Sequence, residues 1–286
     1  MKITVIGAAN IDIITKSKGK IIPGDSNPAE VSLAAGGVAR NIAAMLTLND
    51  RKVELIAAVG NDPLGSLLRK NCRDLGMNTD SWIIKNNTST GVYVAALKND
   101  GEMYVAFNAT AAPEAIKIVD ITKYKGLIKE TDLLILDLNL TERVLGAILD
   151  MRGDRPVIID AVSVAKVPRI ENLLEKVDIL KLNRIEAECL TGITLETKER
   201  VKQACYNIIG RGVNRVFITL GMAGVCVADK NYKAIFVPAI PMVVRDVTGA
   251  GDAFTAGIAL AYDHDMRTQA ESGIALAAEH LARTPS

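Results

Sequence analysis

Asp246-Val247-Thr248-Gly249-Ala250-Gly251-Asp252-Ala253-Phe254 is the stretch on which the reading of this 286-residue chain turns. Two glycines flank an alanine, an acid follows at once, and a long Ala-rich helical run begins at Ala253. Glycine lets a backbone come close to a ligand, and the free N–H groups and positive dipole end of a helix start face any anion placed there. An acid at the end of such a loop repels phosphate and is badly placed to hold it. It is well placed to take a proton from a nucleophile that attacks the phosphate. The stretch reads as an anion hole with a general base, Asp252, set into it; the plainer reading is a glycine-containing helix start.

Composition narrows what such a site could serve. The chain is long enough for one large α/β domain or two small ones with a sizeable core. Its formal net charge is +1 and no basic stripe is present, which argues against nucleic acid as a partner. Cys72, Cys189, Cys205 and Cys226 are scattered without a Cys-x-x-Cys pair, so a reduced, cytoplasmic protein without structural zinc is expected. The opening Met1-Lys2-Ile3-Thr4-Val5-Ile6 run is too short for a signal peptide or membrane span. His264 and His280 read as plain surface or helix-end residues.

Working outward, Lys2 to Ile6 reads as a buried strand ending in Gly7, with Asn10 and Asp12 just past its end, where open α/β sheets bind ligands. Asp12 is either a turn residue or a ligand contact. Two polar, turn-rich pieces, about 13–34 and about 87–108, read as strand-and-turn material projecting from the main body. The second carries a hairpin signal at Lys98-Asn99-Asp100-Gly101. Gly36-Gly37 opens a helix from Val38 to Leu48, and Asp62-Pro63 caps another. Strands then fall near 132–137, 156–160, 178–181, 215–219 and 225–228. Helices fall near 141–151, 169–175, 184–191, 197–211 and 252–262. That alternation predicts a parallel sheet with helices on both faces. Asp137, Asn139, Asp160, Asn183 and Glu186 all end or follow adjacent strands, a pattern that reads as a site more readily than as separate helix caps.

Four motifs in order carry a resemblance. Gly36-Gly37-Val38-Ala39-Arg40-Asn41, Asn183-Arg184-Ile185-Glu186, Thr219-Leu220-Gly221-Met222-Ala223-Gly224 and the 246–254 stretch resemble the signatures of the ribokinase-like (PfkB) sugar and nucleoside kinases. The resemblance implies a ribokinase-like three-layer α/β sandwich with a central, mostly parallel sheet and a small β-sheet lid. It also implies a single kinase domain over residues 1–286, with the pieces at 13–34 and 87–108 forming the lid. The implied reaction is phosphoryl transfer from Mg²⁺·ATP to a primary hydroxyl, with Asp252 as base and the N–H groups of Gly249, Ala250 and Gly251 facing the moving phosphoryl.

The remaining roles are implied residue by residue. Asp12 would grip two ribose hydroxyls, with Asn10 beside it, and Gly36, Gly37 and Asn41 would lie against the sugar. Arg40, in a turn where sugar-kinase relatives often carry a lysine at the place of Val38, would face phosphate or base, or else form a surface salt bridge. Asp137 and Asn139 would complete the acceptor site. Asn183, Thr219, Gly221 and Gly224 would lie along the nucleotide, and Glu186 would reach Mg²⁺ through water. Asp246 and the Thr248 carbonyl match the place where relatives hold K⁺. Further ligands in those relatives come from a loop close to where this chain ends, which leaves a K⁺ site open. In those relatives the outer lid face often serves dimerisation, so the resemblance also implies a homodimer.

Asp25-Ser26-Asn27-Pro28, Asp137-Leu138-Asn139-Leu140 and the Gly101-Glu102-Met103 hairpin followed by Asn108 resemble the pseudouridine kinase branch of the family. That implies transfer to a nucleoside 5′-hydroxyl, with Ser26, Asn27, Thr90 and Asn108 either reading the base edge or serving as ordinary turn and sheet residues. The same equipment suits uridine, cytidine, adenosine or ribose. A nicotinamide-dependent oxidoreductase would carry its glycine fingerprint after the first strand, where Gly7-Ala8-Ala9-Asn10 lacks it. A non-catalytic relative would have lost Asp252, which is present.

Overall fold

Short apolar runs rich in Val and Ile alternate with amphipathic stretches, and the computed structural model, which describes residues 1–242 and 247–283, turns that alternation into two sheets and their covering helices. In chain order the strands are β1 (Lys2–Gly7), β2 (Asn10–Ser17), β3 (Ala29–Gly36), β4 (Lys52–Gly60), β5 (Ile83–Lys85), β6 (Gly91–Leu97), β7 (Met103–Ala109), β8 (Leu133–Asp137), β9 (Val157–Asp160), β10 (Ile179–Asn183), β11 (Arg215–Thr219), β12 (Val225–Asp229) and β13 (Ala234–Val237). The helices are α1 (Val38–Leu48), α2 (Pro63–Asp74), α3 (Ala111–Glu114), α4 (Ile118–Thr122), α5 (Lys125–Glu130), α6 (Glu142–Met151), α7 (Arg184–Thr191), α8 (Lys198–Gly210), α9 (Ala250–Leu260) and α10 (Met266–Arg283).

The large sheet runs β13-β12-β11-β10-β9-β8-β1-β4-β5. It is parallel from β11 to β5, while β12 and β13 are antiparallel additions at one edge. Parallel strands share one carboxyl edge, so Gly7, Asp137, Asp160, Asn183 and Thr219 end at the same side. The chain winds from β1 first to β4 and later to β8 on its other flank, and ligands bind at such a reversal.

Side-chain alternation decides what lies under which helix. On one face Ile6, Leu134, Leu136, Ile159, Leu180 and Leu182 pack with Leu145 of α6, Ala187 of α7 and Ile208 of α8. On the other, Ile3, Val5, Ile135, Ile158, Ile179 and Phe217 pack with Ile42 of α1 and Phe254 and Ile258 of α9. Each such side chain contributes roughly 1.5–3 kcal/mol when fully buried. The Phe217 and Phe254 rings meet edge to face, with centroids 5.9 Å apart, and this fixes the first turn of α9 against β11. Because the period is two, Asp137, Asp160 and Lys181 follow Ile135, Ile158 and Ile179 onto the α1/α9 face. Charge arrives there by register.

The smaller sheet runs β3-β2-β6-β7 and uses both turn-rich pieces, with bounds slightly wider than the sequence suggests. The hairpin turn forms as expected: Lys98 N donates to Glu102 O at 2.8 Å and Gly101 N to Lys98 O at 3.0 Å. Asp62 caps α2 by accepting from Gly65 N at 2.8 Å, with Pro63 in the first turn. One helix differs from expectation. The region around 169–175 is a 3₁₀ stretch, Val164–Lys176, because Pro168 inside it cannot donate to an α-helical ladder. Among the described residues no helix is long and apolar enough to cross a membrane.

Candidate active site

The start of α1 is moored to the end of β1. Gly37 adopts φ +95°, and a Cβ there would fall 2.6 Å from the Ala8 carbonyl, so a side chain is excluded by both backbone angle and space. Arg40 N donates to the same Ala8 carbonyl at 3.1 Å. Beneath this junction, Asp137 accepts from Ala8 N at 2.9 Å, Ala39 N at 3.0 Å and Asn139 N at 2.9 Å. Burial nevertheless holds its carboxyl above the ordinary carboxylate value. Asp137 has no exposed surface, so the substrate contact expected of it is replaced by a mooring role.

The start of α9 faces α1 across the cleft. Gly249 forms its cap in the left-handed region, φ +77°, where glycine alone is unstrained, and its carbonyl accepts from Ala253 N at 2.9 Å. The amide of Ala250 turns back to the Val247 carbonyl at 3.2 Å, which qualifies the expectation that it faces phosphate. His280 comes up from α10 and sets its Nε2 3.1 Å from the Thr248 carbonyl. A Cβ on Gly249 would lie 2.6 Å from that nitrogen. His280 is therefore not the plain helix-end residue expected; it buttresses the turn, on the carbonyl assigned to K⁺. Asp246 lies outside the described residues.

Between the two helix starts runs a chain of hydrogen bonds. Arg40 Nη1 donates to the Ala35 carbonyl at 3.1 Å and to Asn41 Oδ1 at 3.2 Å. Asn41 Nδ2 donates to Asp252 Oδ2 at 2.8 Å. Asp252 keeps some exposed surface but is closely surrounded, and its carboxyl is pushed up to about 7. Burial is the largest cause and the charge of Asp160 the next, while Asn41 and Lys181 draw it back. A carboxylate so tuned can exchange a proton near neutrality. Asp12 sits on the same side, against Gly36, where any Cβ would run into its carboxylate. Burial raises Asp12 as well, opposed by the Arg40 charge. Asn10 ends the group with a buried Oδ1 that lacks a hydrogen-bond partner.

The glycine turn expected along a nucleotide lies beside this group. A cleft of about 380 Å³ is lined by Thr219, Gly221, Met222, Gly224, Ile240, Met242, Val247, Ala250, Gly251, Phe254, Ala277 and Leu281. It joins the β11 turn to the first turn of α9. Asn183 and Glu186 are bound to each other instead: Glu186 accepts from Asn183 N and from Asn183 Nδ2, both at 2.7 Å. Burial raises the Glu186 carboxyl, and a metal contact through water would leave this capping box intact. Among the described residues, no three His, Cys, Asp or Glu gather as a metal-ligand set.

Several expected substrate contacts are engaged elsewhere. Thr90 Oγ1 donates to Asp62 Oδ1 at 2.7 Å and accepts from Gly60 N at 3.0 Å, and the residue is buried. Asn27 closes its own loop, accepting from Ile22 N at 2.8 Å and donating to the Ile22 and Asp25 carbonyls. Asn139 accepts from the buried Lys166 ammonium. These three serve the fold first. Ser26 is exposed in the same loop as Asn27. Asn108 stands on β7 opposite Tyr93, which pairs with Asp12, so it shares the Asp12 face of the small sheet.

The family described as pfkB family carbohydrate kinase matches residues 1–284. The chain belongs to that family. This pfkB kinase is 35% identical over 257 residues to pseudouridine kinase of Escherichia coli strain K12, covering 90% of this chain and 82% of that protein. It is 29% identical over 269 residues to ribokinase of Arabidopsis thaliana, covering 91% and 70%. The solved structure of Arabidopsis thaliana ribokinase complexed with ribose and ATP matches with a TM-score of 0.89 at 25% identity, over 100% of this chain and 94% of that one. The protein is a sugar or nucleoside kinase, a phosphotransferase with an alcohol acceptor.

The site also holds charged residues that the sequence reading passed over. Lys181 and Lys166 are buried, and Thr255 of α9 lies within hydrogen-bond distance of Asp160. Lys181 had a visible signal, a lysine inside the apolar run Ile179-Leu180-Lys181-Leu182.

Proposed function

We propose that this kinase transfers the γ-phosphoryl group of ATP to the 5′-hydroxyl of pseudouridine, giving pseudouridine 5′-phosphate and ADP. The observation that carries the chemistry is the Asp252 carboxylate at the start of α9, oriented by Asn41 and raised toward neutrality. Its likeness to a pseudouridine kinase over 90% of the chain supports the acceptor.

In this reading Asp252 takes the hydroxyl proton as the acceptor oxygen bonds to phosphorus and the bond to the ADP oxygen breaks. The amides of Gly249 and Gly251 face the transferred group, while that of Ala250 holds the turn. Asp12 accepts from ribose hydroxyls, and the unpartnered Asn10 Oδ1 is a further acceptor beside it. Asn108 and Ser26 are the base readers that keep their side chains available; Thr90 and Asn27 support the loops that carry them. The apolar cleft beside Gly221 and Gly224 takes the nucleoside end of ATP. Mg²⁺, when bound, neutralises charge on the donor phosphates, with Glu186 reached through water. K⁺ would rest on Asp246 and the Thr248 carbonyl.

Residues 1–286 then act as one cytoplasmic kinase unit, with β2, β3, β6 and β7 as its lid. The outer lid face presents Ile13, Val31, Leu33, Val94, Val105 and Phe107 in register, and Val31, Leu33 and Phe107 are 60%, 53% and 65% exposed. A second copy of this chain would cover that face as a homodimer. The specific observation for a different acceptor is that Thr90 and Asn27 are spent on the fold, which leaves fewer groups to tell pseudouridine from uridine or ribose.

The test is ADP release with Mg²⁺·ATP across pseudouridine, uridine, cytidine, adenosine, ribose and fructose, with and without K⁺, alongside Asp252→Asn. Turnover that favours pseudouridine and is lost in the variant supports the proposal. Preference for another acceptor keeps the kinase and discards the base reading.

A further inference from the structure

Strand β10 carries a lysine where its neighbours are apolar, and that lysine sits beside the turn that presents Asp252. Lys181 pairs in register with Asp160 of β9. Its Nζ lies 3.1 Å from Asp160 Oδ2, with Lys181 5% and Asp160 1% exposed. Thr255, one turn into α9, donates to the same Oδ2 at 2.7 Å, and its oxygen is 3.2 Å from the Gly251 carbonyl. A Cβ on Gly251 would fall 2.8 Å from the Lys181 ammonium, so that charge lies directly against the backbone of the turn.

Stability is a poor reason for this arrangement. Desolvating a lysine and an aspartate is costly, and a well-packed apolar pair of the same volume often does as well or better. What the pair achieves is location: one positive charge, clamped from two strands and a helix, beneath the turn that presents Asp252.

We propose that Lys181, held by Asp160 and Thr255, is a positioning residue that balances the charge around Asp252 and so sets the pH at which the base works. The inference rests on the kinase reading of Asp252. The groups facing Asp252 are Asn41 of α1 with Arg40 behind it, Asp137 of β8, Asp160 of β9 and Lys181 of β10; Glu186 of α7 faces Lys181 in turn. Two of the four strand and helix neighbours are acids that repel a carboxylate, and Lys181 opposes them. Burial pulls Lys181 down, but Asp160, Glu186 and Asp252 outweigh it, so the ammonium stays charged.

Two substitutions act in opposite directions. Lys181→Met removes the attractive charge, so Asp252 holds its proton to higher pH. Asp160→Asn removes a repulsive one, so Asp252 releases it at lower pH. A charge that faces a carboxylate at an effective dielectric constant of about 20 is worth a shift of about one pH unit or more. A merely structural role would lower activity by one factor at every pH and leave the titration in place.

The experiment is a ¹³C NMR titration of the Asp252 carboxyl, assigned with Asp252→Asn, in the wild type and both variants. It is paired with kcat/KM against pH on whichever acceptor the wild type turns over. The midpoint and the acid limb are expected to rise by about one pH unit in Lys181→Met and fall by a similar amount in Asp160→Asn. At pH 6 that is about a tenfold loss of kcat/KM in the first and a gain relative to its own plateau in the second. Unmoved midpoints in folded variants, or movement in the same direction, overturn the proposal. Should Lys181→Met fail to fold, Asp160→Asn decides alone by whether its midpoint falls. The NMR arm reads Asp252 whether or not any acceptor is turned over, so failure of the kinase reading is seen separately.

Discussion

Replacing Asp252 by asparagine should abolish turnover and, above neutral pH, make the folded protein more stable. The second effect follows from the first cause. Asp252 is raised from an ordinary 3.8 to about 7, so the folded protein holds that proton more tightly than the unfolded chain. A group raised in this way carries no penalty below about pH 4. The penalty grows as pH rises through the interval and is complete above about 7. Three decades of proton affinity at about 1.4 kcal/mol each give a ceiling of about 4 kcal/mol. Water at the exposed part of the side chain reduces it, and roughly half is a working figure. Asparagine is nearly isosteric and its Oδ1 can still accept from Asn41. At about 2–4 °C per kcal/mol for a chain of this size, Tm should rise by about 5 °C at pH 8.5 and by much less at pH 5. Thermal melts of both proteins across that range, with ADP release run in parallel, read the outcome. A stability difference that does not grow with pH, or a variant that still turns over, refutes the assignment of Asp252 as a desolvated base.

Asn41→Ala removes the donor that holds Asp252, so kcat should fall about tenfold and the acid limb of kcat/KM should move to higher pH, both read in one pH series. Thr90→Val strands the Gly60 amide and removes one of the three donors to the Asp62 carboxylate, which should cost about 1–3 kcal/mol in urea unfolding while the ranking of acceptors stays the same. A change in that ranking would return Thr90 to the base site. Gly249→Ala forces an L-residue into φ +77° and a methyl against His280, so it should lose about 1–2 kcal/mol and lower kcat together. Leu33→Asp with Phe107→Asp should convert a dimer to a monomer in light scattering; a wild type that is already monomeric removes the lid interface.

Much of the main fold could be read because it rests on local rules that win here. The Val-Ile runs became central parallel strands, Asp62-Pro63 capped α2, and Asp100-Gly101 turned the hairpin. The helix expected near 169–175 is a 3₁₀ stretch, because Pro168 breaks an otherwise helical pattern without ending it. The site was legible where a backbone feature marks it, as at Gly37, Gly249 and Asp252. It was not legible where register decides. Nothing near Asp160 or Lys181 in the sequence says that the two meet under α9; that comes from the pairing of β9 with β10 and the two-residue period. Asn27, Thr90 and Asp137 show the reverse limit, since a polar residue in the right region is spent on whichever backbone amides the fold brings to it.

The most direct test of the central claim is a ³¹P NMR spectrum of the product formed from pseudouridine and Mg²⁺·ATP. A phosphomonoester signal split as a triplet by the pair of 5′ protons, absent with Asp252→Asn, is the predicted result. A doublet from a secondary hydroxyl, or ATP consumed with inorganic phosphate as the product, would contradict it.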